Sequence, residues 1–562
     1  MTTDNFTPNA DTLYLVPLGG AEQYGVNFNL YGLNDQWLIV DCGIGFADHS
    51  LPLVDITLPD PQFAEARKDK IVGLIVTHAH EDHLGAVPRL WERLGKPHVY
   101  CTRFTAELLK TKNAEMGITH MHIHVVAAGA SVDLDPFGVD FIHVAHSTPD
   151  SAALRIRTAL GNVLHSGDWH LDPAPAFGDV TAHEQLQAYG DEGILAYVGD
   201  STNAGISSVR NSEKTVEAGI AEQFREIEGR IAVTIMASNV GRLHSIAQAA
   251  KTVGRSCVLI GRSLHRMLSV AKQCGYMLDI NNFITQEEAY ARGPSKVVLV
   301  LTGSQGETNA ALSRIARGEM KGVRLSKGDT VIFSARVIPG NEVEINQVVN
   351  NLLSAQVKVI NPDTSRHIIY ASGHPYRDEI KEMFGWVRPH IVIPVHGERA
   401  QLEDHANVAR EMGVKHVVVP HNGSVIKLAP GNPEIITTVP TGTLAVEPSR
   451  VVSTTHKGLQ QRRKLQFTGA MHVSLVLNRR GQLAADPHVT SVGIVDPNAL
   501  GEDSFDSDMA IEVEDILADM REKELQDPTA VAEILTSALR GTVQKSFGFK
   551  PKITVHVMYT KV

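Results

Sequence analysis

The stretch "IVGLIVTHAHEDHLG", residues 71–85, decides how this chain is read. An apolar run passes straight into three histidines and two acids between His78 and His83. A short continuous apolar run bounded by polar punctuation reads as a buried strand. Side chains two apart in extended chain point to the same side, so His78 and His80 can face one metal ion. Asp82 and His83 sit just past the bend and can face a second. Zinc accepts imidazole nitrogen and carboxylate oxygen, and two metals roughly 3.5–4 Å apart can share an activated hydroxide. The bland alternative is a polar strand end with chance histidines. The spacing H-x-H-x-D-H directly after an apolar strand disfavours it.

One segment cannot complete two coordination shells, so further ligands must come from other strand ends. "HVAHSTPDS" offers His146, "LHSGDWHLD" offers Asp168 and "VIPVHGE" offers His396. Each follows an apolar run and precedes a turn, and a carboxylate such as Asp168 can bridge two cations. A lone histidine at a strand end is usually structural; several such ends together with the first motif reverse that expectation. "THMHIHVV" works the other way. His120, His122 and His124 alternate on what reads as one strand face, but no nearby acid or second strand end supports them, and a structural or surface role is expected.

Length and composition bound the rest. A chain of 562 residues exceeds what one core usually holds. Hydrophobic content of 43% and charged content of 20% describe an ordinary globular protein. No apolar run approaches the roughly 18 residues of a membrane span, and the N-terminus lacks the pattern of a signal peptide, so a cytoplasmic protein with no membrane partner is expected. The four cysteines, Cys42, Cys101, Cys257 and Cys274, are scattered, which suits a reducing compartment and excludes a cysteine-based zinc finger. Net charge is −11, yet residues 206–370 hold 20 Lys and Arg against 14 Asp and Glu. A locally basic middle in an acidic chain is compatible with a phosphate backbone as partner.

Texture divides the chain. Residues 1–207 alternate short strands with turns and a few helices, including "HLGAVPRLWERLG" and "FTAELLKTKNAEMG". Residues 208–367 alternate strand and helix, as a parallel sheet with helices on its faces requires. Residues 368–445 return to strands ending in histidine, "HIIYASGHP" and "PHIVIPVHGE". The segment from about 427 to 460 is rich in Pro, Gly and Thr and reads as a connector, with a linker at 446–460. Residues 461–562 hold a hairpin, two helices and a closing strand, an α+β domain. "HKGLQQRRKLQ", around Arg462 to Lys464, reads as an exposed linker end suited to RNA.

"THAHEDH", "AHSTPDS", "SGDWHLD" and "PVHGE" resemble the metal motifs of the metallo-β-lactamase fold, an α/β sandwich of αββα layers. The long gap between Asp168 and His396 resembles the β-CASP insertion of nucleic-acid-processing members. "GDSTNA", "ASNVGR", "LTGSQGETNAALSR" and "YASGHP" are similar to ribonuclease J, a family of bacterial RNA nucleases, and the match covers nearly the whole chain. The glycine-rich start "LGGAEQYGVN" departs from the family wording.

The resemblance implies that His78, His80 and His146 hold one metal, that Asp82, His83 and His396 hold the other, and that Asp168 bridges them. Zinc is the expected ion, with manganese or magnesium as alternatives, since spacing cannot choose among them. Asp41 in "VDCG" is implied to support the ligands through hydrogen bonds. His374 would stabilise or protonate the leaving 3′ oxygen and Asp200 would orient it; an Asp in "GDSTN" also suits a cap or turn on its own. Ser238, Asn239 and Val240, with Tyr370, Ala371, Ser372, Gly373 and His374, are implied to seat the last nucleotide and its 5′-monophosphate. Arg262, Arg266, Arg314, Arg317, Lys321 and Lys327 are either backbone contacts or solvated faces. The implied activity is a metal-dependent 5′-to-3′ exoribonuclease with endonuclease capacity, in rRNA maturation and mRNA decay. The implied assembly is a homodimer or homotetramer with RNA-decay partners. A DNA-directed β-CASP nuclease and a non-catalytic RNA-binding scaffold are the rival readings.

Overall fold

The computed structural model describes residues 6–47, 50–448 and 450–560. They form two compact units. One comprises the described residues up to Phe46 together with Ile56–Leu444; the other comprises those of 47–55 and 445–560.

The larger unit contains a sandwich of two sheets. The eight-stranded sheet runs, edge to edge, Glu434–Thr438, Ser424–Ala429, Leu13–Gly19, Phe28–Leu33, Gln36–Val40, Ile71–Val76, Val99–Cys101 and Ile123–Val125. The seven-stranded sheet runs His416–Val417, Ile391–Val395, Ala196–Asp200, Val163–His165, Ala152–Arg157, Phe137–His143 and Ser131–Leu134. Period-two alternation sorts their side chains. Ile391, Ile393 and Val395 join Leu15, Tyr31, Leu38, Val40 and Ile75 in the core between the sheets. Val392 points the other way, into an outer layer with Ile380, Phe384 and Val408 from helices Arg377–Val387 and Arg399–Glu411. This is the αββα layering expected from the sequence.

Between Asp200 and Ile391 the chain builds a separate five-stranded sheet. Its order is Ser256–Ile260, Val297–Leu301, Ile231–Thr234, Thr330–Phe333 and Lys358–Ile360, with every neighbour parallel. Four of these strands are buried at every position, as parallel sheets require, and the edge strand Lys358–Ile360 is exposed at Lys358 and buried only at Ile360. The smaller unit pairs Ala470–Leu477 with Leu483–Val492 antiparallel and with Lys552–Tyr559 parallel. Helices Phe505–Ala518 and Pro528–Phe547 supply Val513, Leu517, Val531, Leu535 and Leu539 to the core under that sheet. Among the described residues no helix is long and apolar enough to cross a membrane, and the four cysteines are free.

Local expectations differ in four places. "HIIYASGHP" is not a strand but an irregular segment, because the carbonyls of Ile369, Ala371, Gly373 and His374 accept from side chains of Ser334, Arg242, His146 and Asn203 rather than from a ladder. The Pro- and Gly-rich segment from 427 carries strands 434–438, 443–447 and 450–453, since its β-branched runs extend between the turns. "HLGAVPRLWERLG" makes two single turns of helix, Glu81–Leu84 and Val87–Leu90, rather than one helix. "HKGLQQRRKLQ" lies in a helix, Lys457–Thr468, and Arg462 is ion-paired with buried Glu447 rather than free.

Candidate metal centre and catalytic pair

Four strand ends of the sandwich converge. The loop after Ile71–Val76 brings His78, His80, Asp82 and His83; that after Phe137–His143 brings His146; that after Val163–His165 brings Asp168; and that after Ile391–Val395 brings His396. Their donor atoms form two sets that share Asp168. His78, His80, His146 and Asp168 offer ligand atoms within 4.8 Å of one another, and so do Asp82, His83, Asp168 and His396. In the first set His78 Nε2 lies 3.1 Å and His146 Nε2 3.0 Å from His80 Nδ1. In the second, His83 Nε2 and His396 Nε2 lie 3.3 and 3.4 Å from Asp168 Oδ2.

The opposite nitrogen of every ring is held. His146 Nδ1 donates to the Gly373 carbonyl at 2.6 Å. His83 Nδ1 donates to Asp41 Oδ2 at 2.8 Å, and His396 Nδ1 meets the Asn27 side-chain amide, 2.8 Å from Nδ2 and 3.0 Å from Oδ1. His80 Nε2 meets Ser147 Oγ at 3.1 Å, and His78 Nδ1 meets Thr77 Oγ1 at 3.0 Å. The carbonyl and carboxylate acceptors place a proton on the outward nitrogen of His146 and His83 and aim both rings at the centre; against burial, the Asp168, Asp82 and Asp41 carboxylates also raise His83 well above the usual imidazole range. Asp41 of "VDCG" lies beside this cluster, accepting from His83 Nδ1 and Thr77 N. Asn27, Thr77 and Ser147 were not anticipated; their signal, a small polar residue beside a ligand, is too common to single out.

Two glycines permit this crowding. A β-carbon at Gly43 would lie 1.6 Å from the Asp82 carbonyl oxygen, where the ligand loop crosses the strand end. One at Gly373 would lie 3.1 Å from the His146 ring, which the Gly373 carbonyl must approach to accept its proton.

Electrostatics fit a cation pair. Burial, with help from neighbouring imidazoles, holds His78 and His146 well below the usual imidazole range and brings His80 to about 4, so these rings are neutral donors. Burial opposes ionisation of Asp168, yet His396 and His83 pull its carboxyl well below the usual range. Both Asp168 oxygens are buried and accept no hydrogen bond. A buried carboxylate without donors is costly unless a cation compensates it. The His and Asp donor set, with this orphaned carboxylate shared at its middle, fits two divalent ions.

Beside the shared carboxylate stands a second pair. His374 Nδ1 is 2.7 Å from Asp200 Oδ2 and 3.7 Å from Asp168 Oδ2. Burial alone would lower His374, but the Asp200 and Asp168 carboxylates lift it to about 9. Asp200 also serves its own turn: Oδ1 accepts from Thr202 N at 2.9 Å and Thr202 Oγ1 at 2.7 Å. The turn and the orienting role coexist, one oxygen each. Asn203 fixes the partner loop, donating to Ser372 Oγ at 2.8 Å and to the His374 carbonyl at 3.2 Å.

The remaining sequence candidates separate. Asn239 caps helix Val240–Thr252, its side chain accepting from Arg242 N at 2.8 Å. Val240 is buried, so its side chain is core rather than surface. Ser238, Tyr370 and Gly373 are half-buried, while Ala371 and Ser372 are buried. Arg266 pairs with Glu115 at 3.2 Å and Arg317 with Glu319 at 2.7 Å. Arg242, not singled out in the sequence, is a buried hub. It grips Glu213 through two bonds of 2.7 and 2.9 Å and donates to the carbonyls of Ser334 and Ala371. Arg242 and Glu213 cancel within residues 206–370, so this buried pair leaves the basic excess of that segment unchanged.

Comparison with known proteins places this geometry. Residues 228–352 match the family model described as ribonuclease J, beta-CASP domain, and residues 36–235 that of the beta-lactamase superfamily domain. Residues 365–420 match the Zn-dependent metallo-hydrolase RNA specificity domain, and 457–560 the ribonuclease J C-terminal domain. Ribonuclease J of Sinorhizobium meliloti is 39% identical over 559 residues, covering 98% of both chains. That of Mycolicibacterium smegmatis is 34% identical over 541 residues, covering 95% of this chain and 94% of its own. A crystal structure of a protein of unknown function from Enterococcus faecalis superposes with a TM-score of 0.52 at 14% identity. It covers 74% of this chain and all of that one, a likeness of fold. Near-complete coverage at this identity, with both sheet systems and the shared-carboxylate site in place, means that this chain belongs to the ribonuclease J family.

Proposed function

We propose that the centre hydrolyses RNA one nucleotide at a time in the 5′-to-3′ direction, from ends carrying a 5′-monophosphate, with endonucleolytic cleavage as a second mode. The coarser statement follows from family membership: the chain is a metal-dependent ribonuclease. The observation that carries the finer reading is the Asp168 carboxylate, shared between two donor sets and flanked by the His374–Asp200 pair.

His78, His80, His146 and Asp168 would hold one ion, and Asp82, His83, Asp168 and His396 the other, with zinc the ion that best suits the donors. When bound, the ions supply an activated water and neutralise charge on the phosphoryl oxygens. The chain's own groups do the rest. Asp200 keeps His374 protonated and fixes its ring, so that Nε2 can give a proton to the departing 3′ oxygen. Asn203 and the Gly373–His146 bond hold the loop that carries it. Ser238 and the N-terminus of helix Val240–Thr252, at the carboxyl end of a parallel strand, favour an anion such as the terminal phosphate. A site of fixed size there would prefer a monophosphate to a triphosphate. A cytoplasmic homodimer or homotetramer, working with other RNA-decay proteins in rRNA maturation and mRNA turnover, completes the proposal.

The test is direct. RNAs of one sequence with 5′-monophosphate or 5′-triphosphate ends are incubated with the protein, with and without chelator. Mononucleotides released from the monophosphate RNA and suppressed by chelator are expected. Mononucleotide release from both ends at equal rates would sink the end preference, and release from the 3′ end the polarity.

A further inference from the structure

The motif "THMHIHVV" lacked a supporting strand end in the sequence, and the fold provides one. Strand Val99–Cys101 pairs in parallel with the edge strand Ile123–Val125, with Tyr100 opposite His124. Val99 N donates to the His122 carbonyl at 2.9 Å, which continues the ladder back to His98 and His122. Period two then sets His98, Tyr100, His122 and His124 on one face of the strand pair. Their rings make a compact patch. The centroids of His98 and His124 are 4.9 Å apart at 23°, those of His98 and His122 5.0 Å, and those of Tyr100 and His124 4.7 Å at 15°. His98 Nδ1 and His124 Nε2 face each other at 2.9 Å. All three imidazoles are exposed, and half-buried Tyr100 floors the patch. His120 stands apart, packed against Trp91 at 5.1 Å.

We propose that His98, His122 and His124 form a surface site for one divalent transition-metal ion of the zinc, copper or nickel class, separate from the ligand sets around Asp168. Three imidazoles without an acid are the donor set that these borderline ions prefer and that magnesium and calcium do not. His98 and His124 are a preset pair. Tetrahedral ligation with Zn–N bonds of about 2.0–2.1 Å puts two nitrogens about 3.3 Å apart, so the 2.9 Å pair need open by only a few tenths of an ångström. His122, exposed and adjacent to His98, turns in a third nitrogen, and water fills the fourth position. The parallel strand pair fixes the spacing without help from the metal.

The test compares the full-length protein with a His98→Asn/His124→Asn double variant and with His122→Asn, by equilibrium dialysis against Zn2+ alone at pH 7.5. The wild-type chain is expected to bind one equivalent more than the double variant, and His122→Asn to weaken that equivalent about tenfold. Because the replaced side chains are exposed, the variants keep the wild-type melting temperature in chelator, and their RNA hydrolysis rate is unchanged. Equal stoichiometry and superimposable isotherms for wild type and double variant would overturn the site. A shortfall that appears instead in the tightly bound, activity-linked ions would assign the effect to the Asp168 centre, and would overturn it as well.

Discussion

Asp41→Asn is nearly isosteric, yet the hydrogen bonds around it make it a severe change for one metal position. Asp41 Oδ1 accepts from Thr77 N at 2.8 Å, and Oδ2 accepts from His83 Nδ1 at 2.8 Å. Thr77 N can only donate, so an asparagine keeps its oxygen there and turns its amide NH2 toward His83. Two donors then face each other. Relief requires His83 to move its proton from Nδ1 to Nε2, the atom that lies 3.3 Å from Asp168 and 3.5 Å from Asp82. A protonated Nε2 cannot bind a cation. Loss of such a partner costs about 10–100-fold in metal affinity, or about 1.4–2.7 kcal/mol. The enforced tautomer argues for the upper end. Equilibrium dialysis against Zn2+ should show one ion weakened and the other, held by His78, His80 and His146, within about twofold of wild type. RNA hydrolysis should fall and recover as metal is raised. A variant that binds both ions with wild-type affinity would refute the assigned tautomer, and with it the role given to Asp41.

Other outcomes follow from the same geometry. His374→Ala should lower the single-turnover cleavage rate about 10²–10⁴-fold, while RNA affinity measured in chelator stays within a few fold; an unchanged rate would remove His374 from the chemistry. Dialysis against chelator should abolish cleavage and lower the melting temperature, both restored by Zn2+ or Mn2+; an ion present at 100 times its Kd contributes about 2.7 kcal/mol to folding. Arg242→Ala leaves Glu213, whose side chain is only 12% exposed, without its cation. Denaturant unfolding should show a loss of about 3–5 kcal/mol, with Arg242→Lys between the two; a loss under 1 kcal/mol would mean that the network around Ala371 carries little.

How much of this was legible beforehand depends on the range of the interaction. The convergence of the candidate ligands was legible because each ends an apolar strand, a pattern written locally around His78, His146, Asp168 and His396. The five-stranded insert was legible for a similar reason, since short β-branched runs such as "KVVLVL", alternating with helical segments, read as buried strands of a parallel sheet. The segment "HIIYASGHP" misled because an apolar run before a histidine looks the same whether its backbone pairs with a strand or with side chains. There Ser372 and His374 bond to Asn203, a residue some 170 positions away. Arg242 was illegible on similar grounds. A helical arginine after "ASNVG" reads as a surface cation, and only the fold brings Glu213, Ser334 and Ala371 around it.

The glycine-rich start "LGGAEQYGVN", which offered no assignment in the sequence, holds the last ligand in place. His396 has φ of 57°, a left-handed backbone that costs a non-glycine residue about 1 kcal/mol or more. Something must over-determine that conformation, and the start of the chain does so from two sides. His396 N donates to the Gly20 carbonyl at 2.6 Å, and Gly397 bridges to Ala21 and Gln23. Asn27 then takes the His396 ring at Nδ1 while its own backbone N donates to the Asp82 carbonyl at 3.0 Å. One asparagine thereby ties a ligand at position 396 to the loop of ligands at 78–83. The same loop is tied on its other side by Asp41, itself left-handed with φ of 64°. The second candidate metal position is therefore assembled by backbone that departs from regular strand geometry at both Asp41 and His396. That departure is what turns two imidazoles inward from strands of different sheets, and no periodicity in the sequence could have announced it.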